Sequence, residues 1–306
     1  MAEIARLARR VSLPVAALLL TSRPAQAFTW VQVPGALFPS DCVHPVPDGA
    51  TVDPTGDVTL NGLFVAHYDP CPALPIWTRP VPPGTPSSPR LEPSTGGWVE
   101  GAQANFSSDN LDWIYSEWTV PENPIDDNAL IYLFNALEPA TQDAIIQPVL
   151  QWGPGGESGG GNFWGISSWL VNSTNGYPSP LIQVTAGDII SGSVKITSQS
   201  GSNISWTIVA TDVTTGRSTT QYVNSSGGQW TWAYTAILEA YNVTNCSQFP
   251  NNHIAYTFWN TFLDDAYPSY THLIYGSGFS GTQYGYTGPN CGFSGGYSDS
   301  TWAFTF

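Results

Sequence analysis

Short runs of strand-forming residues, separated by glycine- and proline-containing turns, extend from Gly96 toward the end of the chain. Many of them alternate apolar and polar residues, which is the two-residue period of a half-buried strand. No long run has the 3.6-residue apolar period of a helix. We therefore predict an all-β fold, an antiparallel β-sandwich of the jelly-roll type. The predicted strands are 111–120, 129–137, 144–152, 163–171, 181–184, 189–197, 204–212, 218–223, 231–241 and 255–262.

The first 27 residues have the pattern of a secretory signal peptide. A basic start with Arg6, Arg9 and Arg10 precedes the apolar run 11–20 and the small-x-small sequence Ala25-Gln26-Ala27. The apolar run is too short to span a bilayer as a helix. We expect removal of residues 1–27 and a secreted, extracellular protein.

The charge balance excludes two classes of partner. The sequence has 23 Asp and Glu against 8 Lys and Arg, a net charge of −15. Without the predicted signal peptide, the only basic residues besides histidine are Arg79, Arg90, Lys195 and Arg217. A nucleic-acid or anionic-membrane binder needs a basic surface, so neither partner is expected. The hydrophobic fraction of 42% excludes a disordered chain.

Four cysteines in an oxidising compartment predict two disulfides. The pairing Cys42–Cys71 and Cys246–Cys291 keeps each bridge within one region of the chain. The four histidines have no zinc-ligand spacing, and we expect neither a metal ion nor another cofactor. Six sequons are candidate glycosylation sites, namely Asn105, Asn172, Asn203, Asn224, Asn242 and Asn245.

The chain divides into three segments after the signal peptide. Residues 28–75 form a small unit with a β-hairpin turn predicted at Asn61-Gly62 between apolar runs, stapled by the first cysteine pair. Residues 76–95 are a proline-rich linker. Residues 96–306 form the sandwich domain. The small unit is a propeptide, a docking appendage or a lid.

Glu239 lies between apolar neighbours in the predicted strand 231–241. By the two-residue period it shares a face with Thr235, Ile237 and Tyr241. A carboxyl in such a position is partly withdrawn from water, which raises its pKa and suits it to acid or base chemistry. The alternative is a carboxylate on the solvated face of a one-sided sheet.

Gln147 and Gln151 share one face of another predicted strand, 144–152. Pro148 directly follows Gln147. Because proline lacks the N–H that a ladder requires, we expect this strand to lie at a sheet edge or to carry a bulge.

Six segments, in the same order, resemble the glutamic peptidases, the eqolisin family of secreted acid-active fungal proteases. The resemblance covers about residues 97–262. The six segments are Glu117-Trp118-Thr119-Val120-Pro121, Ile145-Ile146-Gln147, the run FWGISSWLV at 163–171, Val184-Thr185-Ala186-Gly187-Asp188-Ile189-Ile190, Thr214-Thr215-Gly216-Arg217 and Ile237-Leu238-Glu239-Ala240-Tyr241.

The resemblance implies a concanavalin A-like β-sandwich and an endopeptidase that works through a Gln/Glu dyad. Glu239 would be the general base that activates water, and Gln147 would stabilise the oxyanion of the tetrahedral intermediate. Other residues would support the dyad or contact the substrate. Glu138 and Gln151 are the supporting candidates, and Trp164, Trp169 and Tyr241 are the substrate-binding candidates. The partner would be a protein or peptide substrate. Separately, we expect the protein to be a monomer.

A carbohydrate-binding or polysaccharide-cleaving sandwich is the first alternative, and a secreted structural protein of the cell surface is the second. The chain has 13 Trp, 14 Tyr and 13 Phe, and aromatic faces stack on sugar rings. They also fill sandwich cores. A glycosidase would need two carboxyls at a defined separation, and Glu239 with Glu138 or Glu117 are the strand pairs available.

Overall fold

The computed structural model describes residues 28–80, 96–106, 110–126, 128–155, 159–250, 256–275, 278–298 and 300–305. The predicted signal peptide and most of the predicted linker lie outside the described residues. In the described part of the chain, no helix has the length and apolar character needed to cross a membrane.

Strands make up most of the described chain, with two single 3₁₀ turns at Ser40–Cys42 and Cys246–Gln248. In chain order the strands are β1 (Trp30–Val33), β2 (Ala36–Pro39), β3 (Ala50–Val52), β4 (Asp57–Leu60), β5 (Leu63–His67), β6 (Ile76–Trp77), β7 (Gly96–Asn105), β8 (Trp113–Thr119), β9 (Leu130–Pro139), β10 (Ala144–Trp152), β11 (Trp164–Asn172), β12 (Gly176–Pro178), β13 (Ile182–Val184), β14 (Ile189–Ser200), β15 (Asn203–Asp212), β16 (Arg217–Ser226), β17 (Trp230–Tyr241), β18 (Tyr256–Asp264), β19 (Leu273–Tyr275), β20 (Ser280–Gln283), β21 (Ser294–Ser298) and β22 (Thr301–Thr305).

Two large sheets pack face to face. The eight-stranded sheet has the order β12-β11-β10-β9-β17-β7-β20, with β13 also paired to β11. The eleven-stranded sheet has the order β21-β22-β18-β8-β14-β15-β16-β3-β4-β5, with β19 beside β18. Apart from the parallel pair β3–β16, the described strand pairs are antiparallel. The prediction of an antiparallel all-β sandwich is confirmed.

The described residues form two apolar cores. The first lies between the two large sheets and includes the fully buried Trp118, Trp164 and Trp206. The second covers the outer face of the eight-stranded sheet, where Phe38 of the N-terminal segment packs with residues such as Phe134. The N-terminal segment therefore shields a face of the sandwich that would otherwise be open to solvent.

The N-terminal segment 28–80 contacts both large sheets. Strands β1, β2 and β6 form a small three-stranded sheet, which contributes to the outer core. Strand β3 pairs with β16, so the hairpin β4–β5, which turns at Asn61-Gly62, extends the eleven-stranded sheet. The disulfide Cys42–Cys71 joins the 3₁₀ turn after β2 to the stretch between β5 and β6. The disulfide Cys246–Cys291 joins the turn after β17 to the C-terminal region.

Strand β10 is an interior strand, not the edge strand expected from Pro148. It lies between β9 and β11, and its register with β9 is continuous, so no bulge is present. The ladder with β9 is interrupted between the pairs Ile146↔Leu137 and Val149↔Phe134. Pro148 lies in this gap. Because it has no N–H to donate, the hydrogen bonding between β10 and β9 is locally interrupted.

Strand β17 carries a bulge that changes which residues share a face. Ala236 has φ 52°, and the register with β9 shifts between Tyr234 and Ile237. Thr235 consequently faces the sandwich interior, where its hydroxyl lies 3.0 Å from that of Ser116 in the opposite sheet. The expectation that Thr235 shares a face with Glu239 is wrong because a bulge resets the two-residue period.

Candidate active site

Gln147 and Glu239 lie on the outer face of the eight-stranded sheet. They belong to β10 and β17, the two neighbours of β9. Both side chains are fully buried beneath the N-terminal segment. Trp169 is the partner of Gln147 on β11, and Trp98 is the partner of Glu239 on β7. The fold thus places the predicted dyad on one face of one sheet.

The two side chains meet at one peptide unit of the N-terminal segment. Gln147 Nε2 donates to the carbonyl oxygen of Pro34 at 2.9 Å. The N–H of Gly35 donates to Glu239 at 3.0 Å from Oε1 and 2.9 Å from Oε2. Because the C=O and N–H of a trans peptide point in opposite directions, Gln147 and Glu239 hold the Pro34–Gly35 peptide from its two edges.

The sequence Val33-Pro34-Gly35-Ala36 explains why a turn occupies this place. Val33 pairs with Ala36 at the end of β1 and the start of β2, which leaves a two-residue connection. Proline followed by glycine is the signature of a type II turn, and Gly35 has the φ of +88° that the second position requires. Val33 and Ala36 are fully buried, so the whole turn is inserted against the sheet.

Glu239 receives three different donors on its carboxyl group. Besides Gly35, the Thr78 hydroxyl donates at 3.0 Å and the Tyr241 hydroxyl also donates. Burial raises the pKa of Glu239 to about 7, while the hydrogen bonds from Tyr241, Gly35 and Thr78 lower it. A carboxyl with such a pKa exchanges a proton readily near neutral pH, as a general base and acid must.

Glu138 forms a fully buried ion pair with Arg79, at 2.8 Å between Oε1 and Nη1. Its Oε2 accepts from Gln142 Nε2 at 3.0 Å and from the Tyr234 hydroxyl at 3.1 Å. Burial raises the pKa of Glu138, and the nearby guanidinium opposes that shift. In the structure Glu138 therefore holds the end of the N-terminal segment, and its contacts are with Arg79 rather than Gln147.

Of the other predicted site residues, Tyr241 and Trp169 lie beside Glu239 and Gln147, whereas Trp164 and Gln151 make other contacts. Tyr241 contacts Glu239, and Trp169 belongs to the outer core beside Gln147. Trp164 belongs to the interior core on the opposite face of the sheet. Gln151 donates to the carbonyl of Gly153 at 3.1 Å, which anchors the glycine-rich loop after β10.

Pro34, Gly35, Thr78 and Arg79 are site residues that the sequence interpretation missed. The Pro-Gly pair between two apolar runs is a turn signal. Nothing in the local sequence indicates that the turn packs on β10 and β17, because that contact joins residues more than a hundred positions apart.

Of the tryptophans in the predicted strands, Trp113, Trp232 and Trp259 are half-buried, and the others are buried. Trp152, Trp164, Trp169, Trp206 and Trp230 are all buried. Among the described residues, no tryptophan belongs to the exposed large apolar side chains. The exposed large aromatic side chains of the described part of the chain are Phe64 and Tyr222. The same part holds no group of three or more His, Cys, Asp or Glu side chains placed to bind a metal ion.

The six sequon asparagines differ in accessibility. Asn172 and Asn224 are half-buried, and Asn224 Nδ2 donates to Asp53 at 2.6 Å. The exposed ones are Asn105, Asn203, Asn242 and Asn245.

No protein-family model matches the sequence, and no curated protein sequence matches it. Among solved structures, the chain is similar to scytalido-glutamic peptidase with a peptide-based transition-state analogue, with a TM-score of 0.47 and 17% identity over 69% of this chain and 100% of that one. A second structure of that peptidase, with a transition-state analogue inhibitor, gives a TM-score of 0.48 and 15% identity, covering 69% and 98%. SCP-B, a member of the eqolisin family in complex with the tripeptide Ala-Ile-His, gives 0.46 and 16%, covering 69% and 98%.

Proposed function

We propose that the protein is a secreted glutamic endopeptidase and that the chain with its N-terminal segment is the latent precursor of that enzyme. The observation that carries the proposal is that Gln147 and Glu239 both form hydrogen bonds with one peptide unit. An amide donor at the carbonyl oxygen is placed to stabilise an oxyanion, and a carboxyl at the amide nitrogen is placed to protonate the leaving amine after it has activated water. The six sequence segments that resemble glutamic peptidases support the same assignment.

In the proposed reaction, Glu239 takes a proton from water as the oxygen attacks the carbonyl carbon of the substrate. The carbonyl oxygen becomes an oxyanion, which accepts a hydrogen bond from Gln147 Nε2. Glu239 then gives its proton to the amide nitrogen as the C–N bond breaks. A neutral amide can stabilise the oxyanion at any pH, so only the carboxyl needs a tuned pKa.

The N-terminal segment blocks this reaction while it remains in place. The Pro34–Gly35 peptide engages Gln147 Nε2 and both oxygens of Glu239, which are the groups that would otherwise hold the attacking water. Burial is the main cause of the raised pKa of Glu239. Removal of the segment would return that pKa toward the ordinary range of a carboxyl, so the open site would retain an ionised base in acidic surroundings.

The test is proteolysis of a denatured protein substrate at pH values from about 2 to 5, the range in which a carboxyl base titrates. Glu239→Gln should abolish cleavage, because an amide cannot take a proton from water. Gln147→Ala should lower kcat by about 10²–10³-fold, the effect of losing one oxyanion donor. Inhibitors directed at serine, cysteine, metal and pepsin-type peptidases should have no effect.

Matched controls exist on the other sheet. Gln221, as buried as Gln147, lies on β16, and Glu117 lies on β8. Gln221→Ala and Glu117→Gln should leave acid proteolysis unchanged. Full activity in the Glu239 and Gln147 variants would overturn the dyad. No proteolysis by the wild type at any pH, together with retention on a polysaccharide column, would favour a carbohydrate-binding protein instead.

A further inference from the structure

Arg79 fills a pocket whose remaining polar groups belong to the sandwich. Its guanidinium forms the ion pair with Glu138 and donates through Nη2 to the main-chain oxygen of Gln142 at 3.1 Å. The side chains of Arg79 and Glu138 have no exposed surface. A fully buried carboxylate without a cation is strongly unfavourable, so the pocket is built around a positively charged group.

The pocket adjoins the proposed dyad. A Cβ placed on Gly35 would lie 3.5 Å from Cδ of Arg79. Gly35 is the residue whose N–H donates to Glu239, which places it on the amide-nitrogen side of the held peptide. The guanidinium is also close enough to Glu239 to lower the pKa of that carboxyl. The approach to Glu138 therefore begins beside the position of the leaving amine.

Arg79 belongs to the N-terminal segment, whereas the groups that hold it do not. Glu138 lies on β9, Gln142 follows it, and Tyr234 lies on β17. When the segment leaves, it removes the cation and leaves the carboxyl, the carbonyl and the phenol behind. We propose that this pocket then receives a basic side chain of the peptide substrate, from a residue on the leaving-amine side of the bond that is cut. This specificity rests on the proposed peptidase function. Arginine should be preferred to lysine, because its planar fork fits a carboxylate and a carbonyl together.

A binding experiment tests the pocket without requiring proteolysis. The full chain with Arg79→Ala retains the N-terminal segment but vacates the guanidinium site. N-ethylguanidinium at millimolar concentration should raise its melting temperature saturably, while the neutral N-ethylurea should not. The wild type and the double variant R79A/E138Q should show no such increase. Arg217→Ala, which removes an exposed arginine on β16, is the matched control. Absence of a guanidinium-specific increase in R79A overturns the pocket, whatever the activity of the protein.

A substrate experiment tests the specificity on the acid-processed wild-type protein. Paired peptides differ only in one residue on the leaving-amine side, arginine in one and its neutral isostere citrulline in the other. Citrulline should lower kcat/KM by about tenfold, equivalent to about 1.4 kcal/mol, and Glu138→Gln should bring the ratio close to one. Equal cleavage of both peptides by the wild type overturns the specificity. If neither peptide is cleaved at any acid pH, both the peptidase function and the substrate role of the pocket are overturned. The binding result in R79A tests the pocket separately from that outcome. Should R79A fail to fold, the paired peptides with E138Q decide the question alone.

Discussion

The N–H of Gly35 donates to both carboxyl oxygens of Glu239, across 204 positions of sequence. This bidentate contact puts a backbone amide where a general base would hold water. It also depends on a backbone conformation at Gly35 that few other residues adopt. The proposed latency would therefore depend on the conformation of one glycine.

Gly35→Ala should weaken the inhibitory turn and hasten activation. A Cβ at φ +88° strains the backbone by about 1 kcal/mol, although the nearest atom, Arg79 Cδ, would be at an ordinary contact distance of 3.5 Å. We expect about a fivefold shorter lag before proteolysis begins after acidification, since about 1 kcal/mol corresponds to that factor. Gly62→Ala places the same kind of strain, at φ +75°, in the distant β4–β5 turn. An equal shortening in both variants would show that the effect is general destabilisation.

The N-terminus of the protein should change with pH. Chain secreted at neutral pH should begin at Phe28, the residue after the predicted signal peptide. After incubation in acid, intact-mass measurement should find an N-terminus near Gly96, since the linker before it is the expected place of cutting. Glu239→Gln should keep the N-terminus at Phe28 under both conditions. An unchanged wild-type N-terminus after acid would mean that the segment is a permanent part of the protein.

Tyr241→Phe should move the pH profile of proteolysis. The Tyr241 hydroxyl donates to Glu239 and lowers the pKa of that carboxyl. Without it the carboxylate is less stable, so the pKa rises and the base ionises at higher pH. We expect the acidic limb of kcat/KM to move upward by about one pH unit, the effect of about 1.4 kcal/mol. Tyr177→Phe removes a buried hydroxyl elsewhere and should leave the limb in place; a downward shift in Tyr241→Phe would contradict the assignment.

Glu100 should make the fold less stable as the pH rises. It is 1% exposed, and burial raises its pKa from 4.5 to about 8. Between these values the unfolded chain releases the proton while the folded chain retains it, so the free energy of unfolding falls with increasing pH. Glu100→Gln cannot ionise and should remove about 3 kcal/mol of the loss between pH 5 and 8. Urea unfolding at several pH values measures this difference, and Glu117→Gln is the control. Parallel pH dependence in wild type and E100Q would exclude Glu100 as the source.

The sequence was sufficient for the features that depend on short-range pattern. Strand alternation predicts the sandwich, and the Asn61-Gly62 pair predicts the β4–β5 hairpin that the structure contains. The sequence did not predict which residues share a face of a strand where one unusual backbone conformation shifts the two-residue period. The bulge at Ala236 allows Tyr234 and Ile237 to share the outer face, and a two-residue period cannot reveal such a shift.

Contacts between distant parts of the chain also could not be predicted from the sequence. Arg79 is one of few basic residues in an acidic chain, yet its burial against Glu138 depends on how the N-terminal segment lies across β9. Nothing local distinguishes it from an exposed arginine in a linker. The same reason hides the contact between the Pro34–Gly35 turn and the dyad, because two distant parts of the chain must both be placed before their polar groups can be matched.

The parallel pairing of β3 with β16 has a consequence for the fate of the processed chain. It consists of three residue pairs, from Gln221↔Ala50 to Val223↔Val52, beside a strand that is ten residues long. While β3 is present, the middle of β16 has a neighbour on that side. Loss of β3 would make β16 an edge strand with unpaired N–H and C=O groups. Sheets of separate molecules can join through such edge strands. If the segment is removed as proposed, β3 would be what protects the chain from joining other molecules edge to edge, and the processed protein should aggregate at lower concentration than the full chain.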